Sequence, residues 1–368
     1  PYLFKSTDKG MTWKSISSNI PDRTLVWRMV QDPVKANLLF AATEYGIYTS
    51  LNGGTSWQKL PGTPTISFRD LTIQKRENDL VAASFGRGFF VLDDYSALRE
   101  FTLGNLNKEG KLFQPRPAKW FVQRSNVGNT GADYYFAKNP EYGAVFTYHL
   151  SKEYKMKKSL RQKREKELNK AEKNVPFPGW EALDAEKQEM PAQVILTIED
   201  QQGNVINKVK KKASKGSHRI AWNLEHFNPF AISMNGRSRR GGGALATPGT
   251  YQATLHLEKD GNVTKLDGPI SFEVKPIREG VLKGAGYAEY NAFRTDLTSF
   301  IQQISKVQDK FDQKTTGTIH FFSGSLDFFS KRIGLGILYF IILLAMFAGF
   351  IILRLRNILG RKTGHQSK

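Results

Sequence analysis

Short apolar runs that stop at glycine dominate the first hundred positions. Leu38-Leu39-Phe40-Ala41-Ala42-Thr43 leads through Gly46 into Ile47-Tyr48-Thr49-Ser50. Leu80-Val81-Ala82-Ala83-Ser84 leads in the same way through Gly86 and Gly88 into Phe89-Phe90-Val91-Leu92. Such runs, bounded by turn residues, predict strands in tight succession. Superposing the two stretches gives an offset of 41 to 42 residues, so the second repeats the first. Strand patterns return at 111–150, at Val194–Ile198, at Gly216–Leu224 and at Pro248–Leu255. A polar stretch, Ser151 to Glu189, interrupts them. Its first half is helical by composition, with only Tyr154, Leu160 and Leu168 as an apolar stripe, so it reads as an exposed insertion. From Tyr290 the period changes: Phe293, Leu297, Ile301, Ile304, Val307 and Phe311 follow at helical spacing. Ile333 to Leu353 is a run of 21 residues without a charge. As a helix it would be about 31 Å long, enough to cross a bilayer core.

Within the first hundred residues one motif occurs twice. Ser6-Thr7-Asp8-Lys9-Gly10-Met11-Thr12-Trp13 and Ser50-Leu51-Asn52-Gly53-Gly54-Thr55-Ser56-Trp57 both fit Ser-x-Asp/Asn-x-Gly-x-Ser/Thr-Trp, with the serines 44 positions apart. That interval matches one four-stranded propeller blade. The pattern suits a tight corner between strands. Asp8 or Asn52 bonds the amides of its own turn, glycine supplies positive φ, and Trp13 or Trp57 is expected to pack between sheets. Ser6, Gly10, Thr12, Ser50, Gly54 and Ser56 complete the two structural corners. In the last unit the motif has decayed to Asp93-Asp94. A blade cannot bury both faces alone, so the chain reads as the C-terminal part of a longer protein.

Arg69-Asp70-Leu71, followed by Asp79-Leu80-Val81-Ala82-Ala83-Ser84-Phe85-Gly86-Arg87-Gly88-Phe89-Phe90-Val91-Leu92-Asp93-Asp94, resembles the closing blade of sortilin-type, Asp-box (BNR) repeat propeller proteins. These are large bacterial chains of the glycosyl-hydrolase-like kind, which usually have His where this chain has Phe85. The resemblance implies a partial β-propeller, its last blades, and action on or binding to polysaccharide. The alternative is a non-catalytic platform for protein or glycan in the cell envelope. Sortilin receptors continue into a cysteine-rich module. This chain has no cysteine, so a sorting role is not implied. The strand ending in Asp200-Gln201-Gln202-Gly203-Asn204, the strand Gly216-Ser217-His218-Arg219-Ile220-Ala221-Trp222 and the strand from Pro248-Gly249-Thr250-Tyr251 resemble an immunoglobulin-like module of secreted bacterial proteins.

The expected organisation is therefore mainly β. Residues 1–103 are propeller blades, and 111–278 an immunoglobulin-like β-sandwich with a basic helical insertion at 151–190. A helical segment (285–330), a transmembrane helix (333–353) and a basic tail (354–368) follow. The formal charge of +20 raises nucleic acid as a partner, but its distribution argues against that. Residues 152–173 hold ten Lys/Arg against four Glu, and 205–219 hold six basic residues and no acid. Further patches lie at Arg237, Arg239 and Arg240 and in the acid-free tail from Lys331. None interleaves cations with aromatics along a groove, so no nucleic acid is expected. The cations beyond Leu353 place the tail in the cytoplasm and the bulk of the chain outside.

Candidate chemistry is sparse. The six histidines show no zinc spacing, and His218 and His226 read as structural or surface residues. Gly241-Gly242-Gly243-Ala244-Leu245-Ala246 leads into Thr-Pro-Gly instead of a helix, so it is no phosphate cradle. No metal and no cofactor is implied, and any catalytic residues are unassigned. The ligand face of a propeller is lined by first strands and their loops. Arg28, Arg69, Asp70 and Arg87 are placed there, where arginine suits carboxylated or sulfated sugars. Packing is the competing role for the same residues.

Overall fold

A computed structural model describes residues 1–123, 137, 139–230, 242–278 and 284–319, with side chains in the last helix through Val307. The described chain is mainly β with few helices. It divides into two compact units, Pro1–His226 with Leu245–Arg278, and Phe227–Ala244 with Glu279–Lys368.

The first unit begins with antiparallel meanders in chain order. β1 (Phe4–Lys5) pairs with β2 (Lys14–Ser15). β3 (Val26–Gln31), β4 (Leu39–Thr43), β5 (Gly46–Ser50) and β6 (Gln58–Lys59) form a four-stranded sheet. β7 (Phe68–Gln74), β8 (Asp79–Ser84) and β9 (Phe89–Leu92) form a three-stranded one. The run Leu38–Ala42 shows why these sheets stack. Leu38, Phe40 and Ala42 join Phe68, Leu71, Leu80 and Tyr95 in one core, while Leu39 and Ala41 join Ile16, Ile20, Tyr48 and Trp57 in another. A strand covered on both faces needs an unbroken apolar run, which is what the sequence supplies. After β9 the chain turns at Asp94 (φ 41°) into a 3₁₀ turn, Ser96–Glu100, and a short helix, α1 (Leu103–Leu106).

That turn is clamped to the four-stranded sheet. Asp32, buried beyond the end of β3, accepts from Arg99 Nη2 (2.8 Å), the Tyr95 hydroxyl (2.8 Å) and the amides of Val34 (3.0 Å) and Lys35 (2.6 Å). Burial alone would raise its pKa. The Arg99 guanidinium, the Lys35 amide, the Tyr95 hydroxyl and the Val34 amide outweigh burial and hold the carboxyl below its ordinary value.

Two more sheets enclose a single core. β10 (Gly110–Leu112), β12 (Ala144–Leu150) and β15 (Gly216–Trp222) form the first. The second runs β11 (Ala118–Trp120), β17 (Asn262–Pro276), β16 (Gly249–Lys259), β13 (Gln193–Glu199), β14 (Val205–Lys212), antiparallel except for β11–β17. Aromatic rings interlock between them: Phe146 meets Phe272 edge-on at 5.0 Å, and Trp222 meets Tyr251 at 5.4 Å. Four lysines of one basic patch (208, 210, 211 and 212) lie on edge strand β14, where charge deters pairing with another chain.

The polar insertion is a helical hairpin, α2 (Lys157–Lys170) and α3 (Trp180–Gln188). The sequence pattern placed helix only in its first half; the second half carries nine residues that begin after Gly179 (φ 90°). In the second unit the helical stripe is realised as α4 (Tyr287–Ile319). No helix among the described residues is long and apolar enough to cross a membrane. The span expected at 333–353 and the basic tail lie outside the described residues, as do Arg237, Arg239 and Arg240.

Candidate functional site: a repeated ledge on the first two strands

The two corner motifs form the same hydrogen-bond net. Ser6 Oγ donates to Asp8 Oδ1 (2.8 Å) and accepts from the Gly10 amide (2.7 Å), and Asp8 Oδ1 accepts from the Thr12 amide (2.9 Å). Ser50 Oγ donates to Asn52 Oδ1 (2.9 Å) and accepts from the Gly54 amide (2.9 Å), and Asn52 Oδ1 accepts from the Ser56 amide (2.9 Å). The Ser6, Asp8, Ser50 and Asn52 side chains are thus engaged within their own turns, which is a structural role.

The tryptophans differ, against expectation. Trp57 is 2% exposed and donates through Nε1 to Ile16 O (2.6 Å), 41 residues earlier. Trp13 is 64% exposed and bonds only Gly10 O (3.1 Å) of its own corner. The physical reason is the neighbour. Ile16 and Ile20 cover Trp57, and no described residue stands in that relation to Trp13.

At the start of the first strand of each of the larger meanders, the ladder slips by one residue. Val26 pairs with Thr43 and Arg28 with Ala42, so Trp27 is the extra residue; Phe68 pairs with Ser84 and Asp70 with Ala83, so Arg69 is. Such a bulge re-aims a side chain. The loop that follows the second strand is built alike in both. Thr43 Oγ1 donates to Gly46 O and Ser84 Oγ to Gly88 O, both at 2.8 Å. The Glu44 amide donates to Leu25 O (3.0 Å), and the Phe85 amide to Ser67 O (2.8 Å). Trp27 with Glu44 and Arg69 with Phe85 are thus equivalent pairs on successive sheets.

These pairs meet. The Arg69 guanidinium lies 3.7 Å from the Trp27 ring centroid and 5.2 Å from that of Phe85. Glu44 Oε2 accepts from Trp27 Nε1 (2.9 Å) and from Ser67 Oγ (3.2 Å), linking the two sheets. A guanidinium held over aromatic faces keeps its edge N–H groups for a carboxylate or sulfate, and the cation–π contact contributes about 0.5–1 kcal/mol at an exposed site. Arg69 forms no ion pair within 4 Å among the described residues. Phe85 presents an exposed ring beside it.

Of the residues singled out in the sequence, Arg69 is at the centre of this ledge. Arg28 and Asp70 face each other across it, with Arg28 Nε 3.6 Å from Asp70 Oδ1. Both are well exposed, so the pair contributes no more than about 1 kcal/mol. Arg87 sits exposed in the turn between Gly86 and Gly88. The sequence reading missed Trp27, Glu44, Ser67 and Phe85 as a group. The signal was available, because the repeat offset aligns Trp27 with Arg69 and Glu44 with Phe85. No group of three or more His, Asp or Glu is placed to hold a metal ion among the described residues. His218 is engaged with Ser214 (Oγ 3.0 Å) in its own turn.

No family model matches the chain, and no curated protein does. Among solved structures, the extracellular domain of a one-component system from B. thetaiotaomicron matches over 73% of this chain and 28% of its own, at 12% identity and a TM-score of 0.20. An ancestral GH74 enzyme matches over 73% of this chain and 29% of its own, at 16% identity and a TM-score of 0.21. The chain spans less than a third of the length of either, and overlaps this slight leave the functional reading to its own residues.

Proposed function

We propose that this chain is the C-terminal part of an exported Asp-box propeller protein that binds acidic polysaccharide on the Trp27–Arg69–Phe85 ledge. In this reading the meanders are a fraction of one blade and two further blades, followed by an immunoglobulin-like sandwich as spacer. Two observations support the architecture: sheets stacked through both faces of β4, and corners with one shared hydrogen-bond net. The run at 333–353 would anchor the protein, with its bulk outside the cytoplasm.

The observation that carries the ligand class is Arg69 held between Trp27 and Phe85, with an exposed ring on either side of a cation. Aromatic faces suit the C–H faces of sugars, and guanidinium suits their carboxylates. Glu44 and Asp70 are the nearby acids. Glu44 is held by Trp27 and Ser67, and Asp70 by Arg28 and the Leu71 amide, a positioning arrangement. Hydrolysis, as a glycosyl-hydrolase-like protein would perform, needs a second acid free to move a proton across a cleft. Binding is therefore the reading for these residues.

The test is calorimetric titration of the chain with polygalacturonate and with a neutral glucan. Arg69→Ala should weaken polygalacturonate binding about tenfold, about 1.4 kcal/mol, and leave the fold unchanged. Equal affinity for both polymers, unaltered by Arg69→Ala, rejects the ledge. Hydrolysis of either by this chain rejects the binding assignment.

A further inference from the structure

The α2–α3 hairpin has features that neither a packing role nor the ledge explains. Arg161 clasps it shut, with Nε 2.8 Å and Nη2 2.9 Å from the Glu186 carboxylate and Nη1 2.6 Å from Glu165. Along α2 only Arg161, Glu165 and Leu168 are half-buried, one stripe turned to α3. The remaining cations of the helix and its exit point outward. Lys157, Lys158, Arg164, Lys166, Lys170 and Lys173 form no ion pair within 4 Å among the described residues. Glu167, Glu172, Glu181 and Asp184 are the exposed acids on the same hairpin, Asp184 paired with Lys187, and the cations outnumber them.

The tip joining the helices is Asn174-Val175-Pro176-Phe177-Pro178-Gly179-Trp180. Phe177 is 63% and Trp180 73% exposed, and their rings meet edge-on at 5.3 Å. Val175 is exposed too. Water gains nothing from an aromatic pair displayed on a loop stiffened by two prolines. A bilayer interface does, because Trp and Phe settle at headgroup depth while Lys and Arg attract anionic lipid.

We infer that the tip Val175–Trp180 inserts into the headgroup layer of an anionic bilayer, with the outward cations of α2 holding it there. The chemistry required of the partner is negative surface charge over an apolar layer that admits two rings. A soluble polyanion offers the charge without the layer.

The experiment uses the full chain reconstituted in vesicles of phosphatidylglycerol with phosphatidylcholine, or of phosphatidylcholine alone. Some of the lipid is brominated near the headgroup. The difference in tryptophan emission between the wild type and Trp180→Phe isolates Trp180. It should be blue-shifted and bromine-quenched in anionic vesicles, and revert to a water-exposed spectrum in phosphatidylcholine. Arg164→Gln, Lys166→Gln and Lys170→Gln together remove three charges and should weaken insertion about 100-fold, at roughly fivefold per charge. A Trp180 signal that stays unquenched in anionic vesicles overturns the inference. So does a blue shift produced by dextran sulfate without lipid. Carbonate extraction of the same vesicles reads the run at 333–353 separately, so failure of that anchor is distinguishable from failure of the tip.

Discussion

Asp8 and Asn52 do one job with two chemistries, and pH separates them. The Thr12 hydroxyl, the Thr12 amide and the Ser6 hydroxyl bond the ionised Asp8 carboxylate and lower its pKa from 3.8 to about 2. A depressed carboxylate stabilises the fold above its unfolded value. That contribution is lost as pH falls from 3.8 through about 2. The first corner should therefore loosen in acid while the second does not. Thr12 amide protection, the exchange rate relative to that of an unstructured amide at the same pH, should fall from pH 5 to 2 in the wild type and stay flat in Asp8→Asn, whose amide can accept as Asn52 does. Identical acid curves would show that Asp8 is not the titrating group. At this scale the corners were fully legible, since a short motif satisfies itself locally. The burial of their tryptophans was not, because it depends on residues some 40 positions away. The Trp27–Arg69 contact was half legible: the repeat offset aligns the two positions, but only the folded chain shows that the guanidinium lies over the ring.

Among the elements, strand existence followed from apolar runs, while pairing order did not. β10, β12 and β15 are far apart in the chain, and their adjacency rests on a close approach that sequence periodicity does not encode. Gly143 is the clearest case. At φ 104°, a Cβ there would lie 1.9 Å from Trp222 O, across the β12–β15 pair. Gly203, at φ 82° in an open turn, has nothing within 4 Å. Gly143→Ala should cost about 3 kcal/mol and Gly203→Ala about 1 kcal/mol, since strain alone acts at the second and backbone collision adds at the first. Urea midpoints compare the two directly. Equal losses would mean that β12 shifts without penalty. The second helix of the insertion escaped notice because its nine residues carry too short an apolar stripe to register.

Across the first unit, the meanders and the two-sheet core are joined by a charged seam. Lys119 Nζ lies 2.8 Å and Arg116 Nη1 3.4 Å from Glu77 Oε2, and Arg219 Nη2 donates to Asp94 O (2.8 Å) and to Asp93 O. The Lys119 hydrogen bond, helped by the charges of Lys119 and Arg116, outweighs burial and holds the Glu77 carboxyl below its ordinary pKa. The two parts should then unfold in one transition. Glu77→Ala with Arg219→Ala should split it, so that ring-environment circular dichroism and bound-urea sensitivity no longer coincide. A single coincident transition in the double variant would mean that other contacts hold the parts together. None of this seam was visible in the sequence, where those residues are scattered members of a basic chain. Along the chain, α1 runs between Arg99 of the Asp32 clamp and Arg116 of the seam, with Leu103 left 81% in water. A protease that severed the backbone at that exposed tether would leave both fragments bound to one another, and new termini could be opened there without dismantling either side.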